Sequence, residues 1–222
     1  MRSKAFFAAA GLALGAAAWA ALDPGRGGLA VLLAAFAVLV AGAAWLEDSP
    51  GSVRDLTLVA TLGGLAAAGR VLFAPVPNVQ PVTVIVVASG VALGPRRGFA
   101  VGALAALASN FFLGQGTYTP WQMLAWGACG VAGGLARPLL RGRITFALFC
   151  GALGFLYGLP MDLWTWYAFL QDVPLEVVLA SGVAFNAAHA IGNVLIALAA
   201  GPELRRVLER YDRRLRTEVA WA

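Results

Sequence analysis

Charge is scarce in this 222-residue chain: Asp, Glu, Lys and Arg together make up 12% of it. A soluble domain carries about a quarter, so a surface that faces water on all sides is excluded. There is one histidine, His189, and there are two cysteines, Cys129 and Cys150, each inside an apolar run and far from any CxxC spacing. Those counts exclude HExxH zinc chemistry, a multi-histidine metal site and a redox dithiol, leaving the cysteines as small buried hydrophobes. No GxxxxGKS/T phosphate loop is present, so the chain does not hydrolyse ATP by that route. No GxSxG elbow is present either, and Ser89, Ser109 and Ser181 have no evident partner base. No cofactor or resident metal is expected, and the chain reads as a binder, not an enzyme.

What fills the sequence is apolar: 60% hydrophobic residues and a mean hydropathy of +0.79. The few charges are clumped and leave runs long enough to cross a bilayer as helices. The alternating ten-residue segments of a membrane β-barrel are missing. The fold class expected is all-α, a polytopic helical membrane protein.

Eight hydrophobic segments can be drawn, at 5–22, 28–46, 55–73, 80–94, 98–114, 121–137, 143–169 and 175–200. Turn chemistry separates them: Asp23-Pro24-Gly25, Ser49-Pro50-Gly51, Pro75 to Pro81, Gly94-Pro95, Thr119-Pro120 and Val173-Pro174. The segment 80–94 is short and rich in β-branched residues, so it is the weakest helix of the eight. Residues 1–50 read as an N-terminal pair of transmembrane helices, 54–200 as a six-helix membrane domain and 201–222 as a basic tail. Arg2 and Lys4 before an apolar stretch ending in Ala18-Trp19-Ala20 also fit a cleavable signal peptide.

The connections alternate in charge. Arg2, Lys4, Arg54, Arg96, Arg97, Arg137, Arg141, Arg143 and the tail from Arg205 to Arg216 fall on one side. Arg26, Arg70, Asp162, Asp172 and Glu176 fall on the other. Basic excess marks cytoplasmic loops, so a multi-pass protein of the cell membrane is expected, with both termini inside. Topology thereby accounts for the net charge of +5, and no nucleic-acid partner is called for. The tail "LRRVLERYDRRLR" is either a solvated positive-inside tail or a basic amphipathic helix on anionic lipid.

A polar group in hydrocarbon is costly and marks function by default. With this orientation such groups gather toward the outer half: Arg70, Asn78, Gln80, Asn110, Gln115, Tyr118, Trp121, Gln122, Asp162, Trp164, Trp166 and Tyr167. Asn186, His189 and Asn193 follow at i, i+3 and i+7 and share a helix face. At about 1.5 Å per residue, Asn186 lies about 16 Å below Leu175, near mid-bilayer. Taken singly, the tryptophans fit an interfacial belt, Arg70 could snorkel or neutralise Asp162, and the amides could hold helices together. Their convergence on one side favours an outward-facing cavity. It is expected to be lined by Trp121, Gln122, Asn110, Asn78 and Asn186, with Arg70 and Asp162 at its rim. An opposite feature is the small-residue face Ala60, Gly64 and Ala68, which lets another helix approach closely.

The runs "PNVQP" (77–81), "GPRRGF" (94–99) and "SNFFLGQG" (109–116) leading into "TPWQM" (119–123) resemble the substrate-binding S component of energy-coupling factor (ECF) vitamin transporters. The resemblance is strongest over 69–134 and extends over 54–200. The chain departs from the family's most familiar form at Thr117 and Tyr118, where a proline and a tryptophan are usual. The family implies a six-helix membrane domain that binds a vitamin or related micronutrient from outside. It also implies assembly with a transmembrane coupling subunit and two ATPase subunits, and toppling in the membrane to release substrate inside. Ala60, Gly64 and Ala68 fall where the family carries its alanine contact motif for the coupling subunit. The runs are also similar to the subgroup assigned to cobalamin or its precursors. The aromatics and amides suit a corrinoid, and equally a flavin or a modified nucleobase. His189 could be a cobalt ligand or a neutral packing residue. The competing expectations are a structural or assembly role for the polar groups, and an intramembrane enzyme using Asp162 and His189.

Overall fold

The computed structural model describes residues 2–46 and 52–220, and every regular element among them is helical. The helices are α1 Arg2–Ala20, α2 Gly27–Leu46, α3 Ser52–Leu72 and α4 Val82–Leu93, followed by α5 Pro95–Leu113, α6 Thr119–Leu135, α7 Arg143–Phe169 and α8 Leu175–Ala220. A short 3-10 turn, Pro24–Arg26, joins α1 to α2, and the Asp23 carboxylate caps it by accepting from the Gly25 N–H at 2.9 Å. The Ser49-Pro50-Gly51 break lies outside the described residues.

Stretches of 18 to 37 residues within α2, α3, α7 and α8 are long and apolar enough to cross a membrane. The perimeter agrees with that solvent. Leu32, Leu39, Phe111, Phe112, Leu156, Phe185 and Ile191 lie exposed, while Arg70, Thr83, Ser109, Asn110, His189 and Asn193 are buried. Apolar outside and polar inside is the arrangement expected in lipid and a liability in water.

α4 is the axis of the bundle, with all of its residues buried. It is held by close backbone approach to α5 and α6. A Cβ added to Gly90 would sit 2.0 Å from the Gly130 carbonyl oxygen, and one on Gly130 would sit 2.3 Å from that of Gly98. Glycine here lets three helices meet without intervening side chains, as small residues do in membranes. α3 flanks α5, and the antiparallel pair α7–α8 flanks α4. The hairpin α1–α2 packs mainly on itself and reaches α3, α5 and α6.

Two boundaries differ from the sequence expectation for identifiable reasons. The fourth helix begins at Val82, not 80, and at about 18 Å it is too short for a hydrocarbon core of about 30 Å. The missing depth is filled by the preceding loop, which dips into the bundle. Asn78, in the left-handed region at φ 54°, donates from its amide to the Phe185 carbonyl at 2.6 Å. Irregular backbone at membrane depth is tolerated where protein buries it. The eighth helix does not stop at 200 but continues through Gly201-Pro202 to Ala220. Proline lacks the N–H that would meet the Leu198 carbonyl. Arg143 supplies the replacement, its Nε donating to that oxygen at 2.9 Å. The basic segment is therefore a helix, and Leu208, 3% exposed, packs with the core rather than lying wholly in solvent.

Candidate functional site

Two connections, α3–α4 and α5–α6, bring polar side chains together at one end of the bundle. Arg70 comes from the last turn of α3, Gln80 from the loop before α4, Ser109 and Asn110 from the end of α5, and Thr119 and Gln122 from the start of α6. Arg70 donates from Nε to Gln80 Oε1 at 3.3 Å and from Nη1 to Ser109 Oγ at 2.7 Å and Asn110 Oδ1 at 2.5 Å. Asn110 passes the chain on, its amide donating to Thr119 Oγ1 and Gln122 Oε1 at 2.9 Å each. The Thr119 hydroxyl donates to Gln115 Oε1 at 2.9 Å, and Gln115 Nε2 to the Leu107 carbonyl at 3.0 Å. Each step has one donor and one acceptor, as buried polar groups require.

Arg70 is 8% exposed, and its guanidinium lies 5.0 Å from the centre of the Trp126 ring. Every one of its hydrogen-bond acceptors is neutral, and among the described residues no carboxylate reaches it. It is therefore a buried cation without a counter-charge. Arg70 was expected near the rim with Asp162, with snorkelling or neutralising Asp162 as alternatives, and the two side chains do not pair. Arg70 is central, and Asp162 instead accepts from Asn186 Nδ2 at 2.7 Å across the α7–α8 interface.

Trp126 links this network to a second one. Its Nε1 donates to Thr83 Oγ1 at 3.2 Å, and Thr83 Oγ1 lies 3.1 Å from His189 Nε2. His189 Nδ1 lies 2.8 Å from the Asn78 carbonyl oxygen, which can only accept. The proton is thus assigned to Nδ1 of a neutral imidazole, and Nε2 accepts from the threonine hydroxyl. Both ring nitrogens are engaged, and neither touches Asp162. Tyr157 stacks on Trp126 at 4.3 Å between ring centres, with its buried hydroxyl beside Gln122.

The remaining expected residues scatter around this centre. Trp121 turns toward the N-terminal hairpin, packing with Ala20, Ala21 and Ala30, and its buried Nε1 has no partner. Tyr118 donates to the Gly114 carbonyl at 2.6 Å and meets Trp164 edge-on at 5.8 Å, closing the end of the cluster. Trp164 Nε1 donates to the Ala21 carbonyl at 3.0 Å, so the hairpin is tied to this end as well. Trp166 Nε1 donates to the Val173 carbonyl at 2.9 Å and staples the α7–α8 turn. Asn193 is fully buried, donating to the His189 carbonyl at 2.8 Å, and braces α8 against α7 near Gly154. Ala60, Gly64 and Ala68 are all exposed on α3, and a side chain on Gly64 would meet nothing within 4 Å.

Sequence reasoning passed over Thr83, Ser109, Thr119, Trp126 and Tyr157. Trp126 could have been found, since it stands four residues after Gln122 on the same helix face. Ser109 adjoins Asn110. Thr83 and Tyr157 carry no local signal, because each is placed by contacts more than 30 residues away.

The chain matches no family model, no curated protein and no solved structure.

Proposed function

We propose that this chain is the substrate-binding S subunit of an ECF-type importer. It takes a vitamin or related micronutrient from outside and passes it inward with a coupling subunit and two ATPases. The observation that carries the reading is Arg70, a buried cation surrounded by neutral acceptors inside a helical membrane domain. A charge held only for structure would be expected to bring its own counter-ion. A ligand with an anionic group supplies what is missing, and Trp126 and Tyr157 offer aromatic faces beside it. The open small-residue face of α3 fits a partner helix, and the S-component resemblance supplies the coupling subunit as that partner. The bundle of α3–α8 stands as the six-helix domain of this reading, with α1 and α2 as an extension. Cobalamin or a precursor is the substrate we favour from the resemblance.

In this reading both termini and the Gly94–Gly98 turn face the cytoplasm, and the Arg70 end faces outward. Cysteines introduced at Arg97 and Asp172 label from opposite sides of the membrane. Labelling of both from outside the cell overturns the orientation.

A structural role is the second reading, favoured by the way Asn110, Thr119, Gln122 and Gln115 satisfy one another between α5 and α6. Mass spectrometry of small molecules retained by the purified protein separates the two. A micronutrient present in the wild type and absent from Arg70→Gln supports the transport reading. Its absence from wild-type protein purified from cells supplied with micronutrients supports the structural one.

A further inference from the structure

The opposite end of the molecule holds a basic cavity that substrate binding does not use. It has a volume of about 230 Å³ and lies where the start of α7 meets the Gly201-Pro202 junction of α8. Arg141, Arg143, Arg205 and Arg206 line it against a single carboxylate, Glu209.

Two of the arginines are fixed by backbone carbonyls. Arg143 is fixed by its bond to the Leu198 carbonyl that Pro202 leaves free. Arg205 is held from three sides: its Nη1 donates to the Leu140 carbonyl, its guanidinium lies 5.3 Å from the Phe146 ring centre, and Nη2 stands 3.7 Å from Glu209. Its Nε is buried with no acceptor. Arg206 pairs at 2.5 Å with Glu203, and both side chains are exposed. Four arginines against one lining carboxylate leave the cavity with an excess of positive charge.

Its depth is set by the chain. After Glu176, charge returns to α8 only at Glu203, and the first residue of α7 is Arg143, so the cavity lies where hydrocarbon gives way to headgroups. We propose that it binds the phosphate of an anionic phospholipid in the adjoining leaflet. Arginine forks match phosphate oxygens, and basic pockets at helix ends are suited to lipid headgroups. The acyl chains of such a lipid would run along the exposed apolar side chains of Ile144 and Leu148 on α7. This inference is independent of the substrate and survives if the transport reading fails.

The test is native mass spectrometry of the full chain released from vesicles of mixed phosphatidylglycerol and phosphatidylcholine. One phosphatidylglycerol should be retained per chain in preference to phosphatidylcholine. Arg141→Gln combined with Arg206→Gln removes two charges that make no bond to the backbone, and should reduce that retention about tenfold. Arg210→Gln with Arg214→Gln removes the same charge farther along α8 and should change it less than about twofold. Equal retention of the two lipids, or equal loss in both double variants, overturns the pocket. Displacement of the lipid by millimolar inorganic phosphate assigns the cavity to a soluble phosphate and overturns the lipid assignment.

Discussion

Helix α3 contributes to two arginine sites, one near each of its ends, and they are built differently. At its start, Asp55 accepts from Arg97 of α5, with Nη2 at 2.5 Å and Nε at 3.1 Å. At its end, Arg70 reaches α5 again but finds a serine and an asparagine in place of a carboxylate. Both sites join α3 to α5, so either would serve to hold the helices together. The first is complete as a charge pair. The second spends a desolvated cation on neutral acceptors, which gains less than an ion pair and leaves the charge available to an incoming anion. An arginine whose role is only structural would be better served by the Asp55 arrangement.

Substitutions at the two sites should therefore part company. On the proposed reading, Arg70→Gln, which keeps an amide NH2 but no charge, is expected to lower affinity for a retained micronutrient more than about a hundredfold, on the order of 3 kcal/mol. Quenching of tryptophan fluorescence can follow this, because Trp126 adjoins the guanidinium. Unchanged affinity would remove Arg70 from the binding site and erase the contrast. Arg97→Gln should leave ligand affinity alone and lower stability instead, by about 2 kcal/mol. That is below the cost of breaking a fully buried pair, since these side chains are 21% and 18% exposed. A fall in thermal midpoint without a change in affinity is the result to look for. Were affinity to fall as well, the two ends would be coupled rather than distinct.

Gln122→Ala should cost about tenfold in affinity, about 1.4 kcal/mol, through loss of the acceptor that orients Asn110. Trp121→Ala should instead loosen the hairpin that Trp121 packs against, detectable as faster proteolysis of α1–α2 at unchanged ligand affinity. Smallest of all on the isolated chain is Gly64→Leu, expected to change stability by less than about 0.5 kcal/mol because the position faces open space. Its effect should appear only on assembly with a coupling subunit, as reduced co-purification. Assembly unaffected by Gly64→Leu would place the partner surface elsewhere.

The sequence showed the helices more clearly than the meeting of their side chains. Apolar run length and turn residues located every helix, because hydrophobic length and breakers act locally. The charge alternation sorts the connections into two groups, and Asp55–Arg97 and Arg70–Asn110 lie near opposite ends of α3. The fourth helix was read as longer than it is, because the loop before it is held by contacts that local pattern does not show: Asn78 meets Phe185 and His189 over a hundred residues away, and Gln80 meets Arg70. The eighth apolar segment was read to end at Ala200, yet Pro202 does not end the helix, because another donor serves the carbonyl it frees. Arg143 does so from a different helix, and no window of sequence contains both residues. Of the polar groups, Arg70, Gln80, Asn110, Gln115 and Gln122 join one network, while Trp121, Trp166 and Asn193 serve packing. Periodicity gives the face a residue occupies and not the neighbour it meets there.

The contact of Gly90, Gly98 and Gly130 bears on how the molecule deforms. Three helices touching backbone to backbone leave no rotamers to rearrange and no soft contact to compress, so α4, α5 and α6 form one stiff plate. The hairpin α7–α8 meets that plate through side chains instead: Tyr157 on Trp126, and His189 on Thr83. Compliance belongs to that seam. If the bundle yields anywhere along this boundary, the Trp126–Thr83–His189 relay is the set of bonds that has to break.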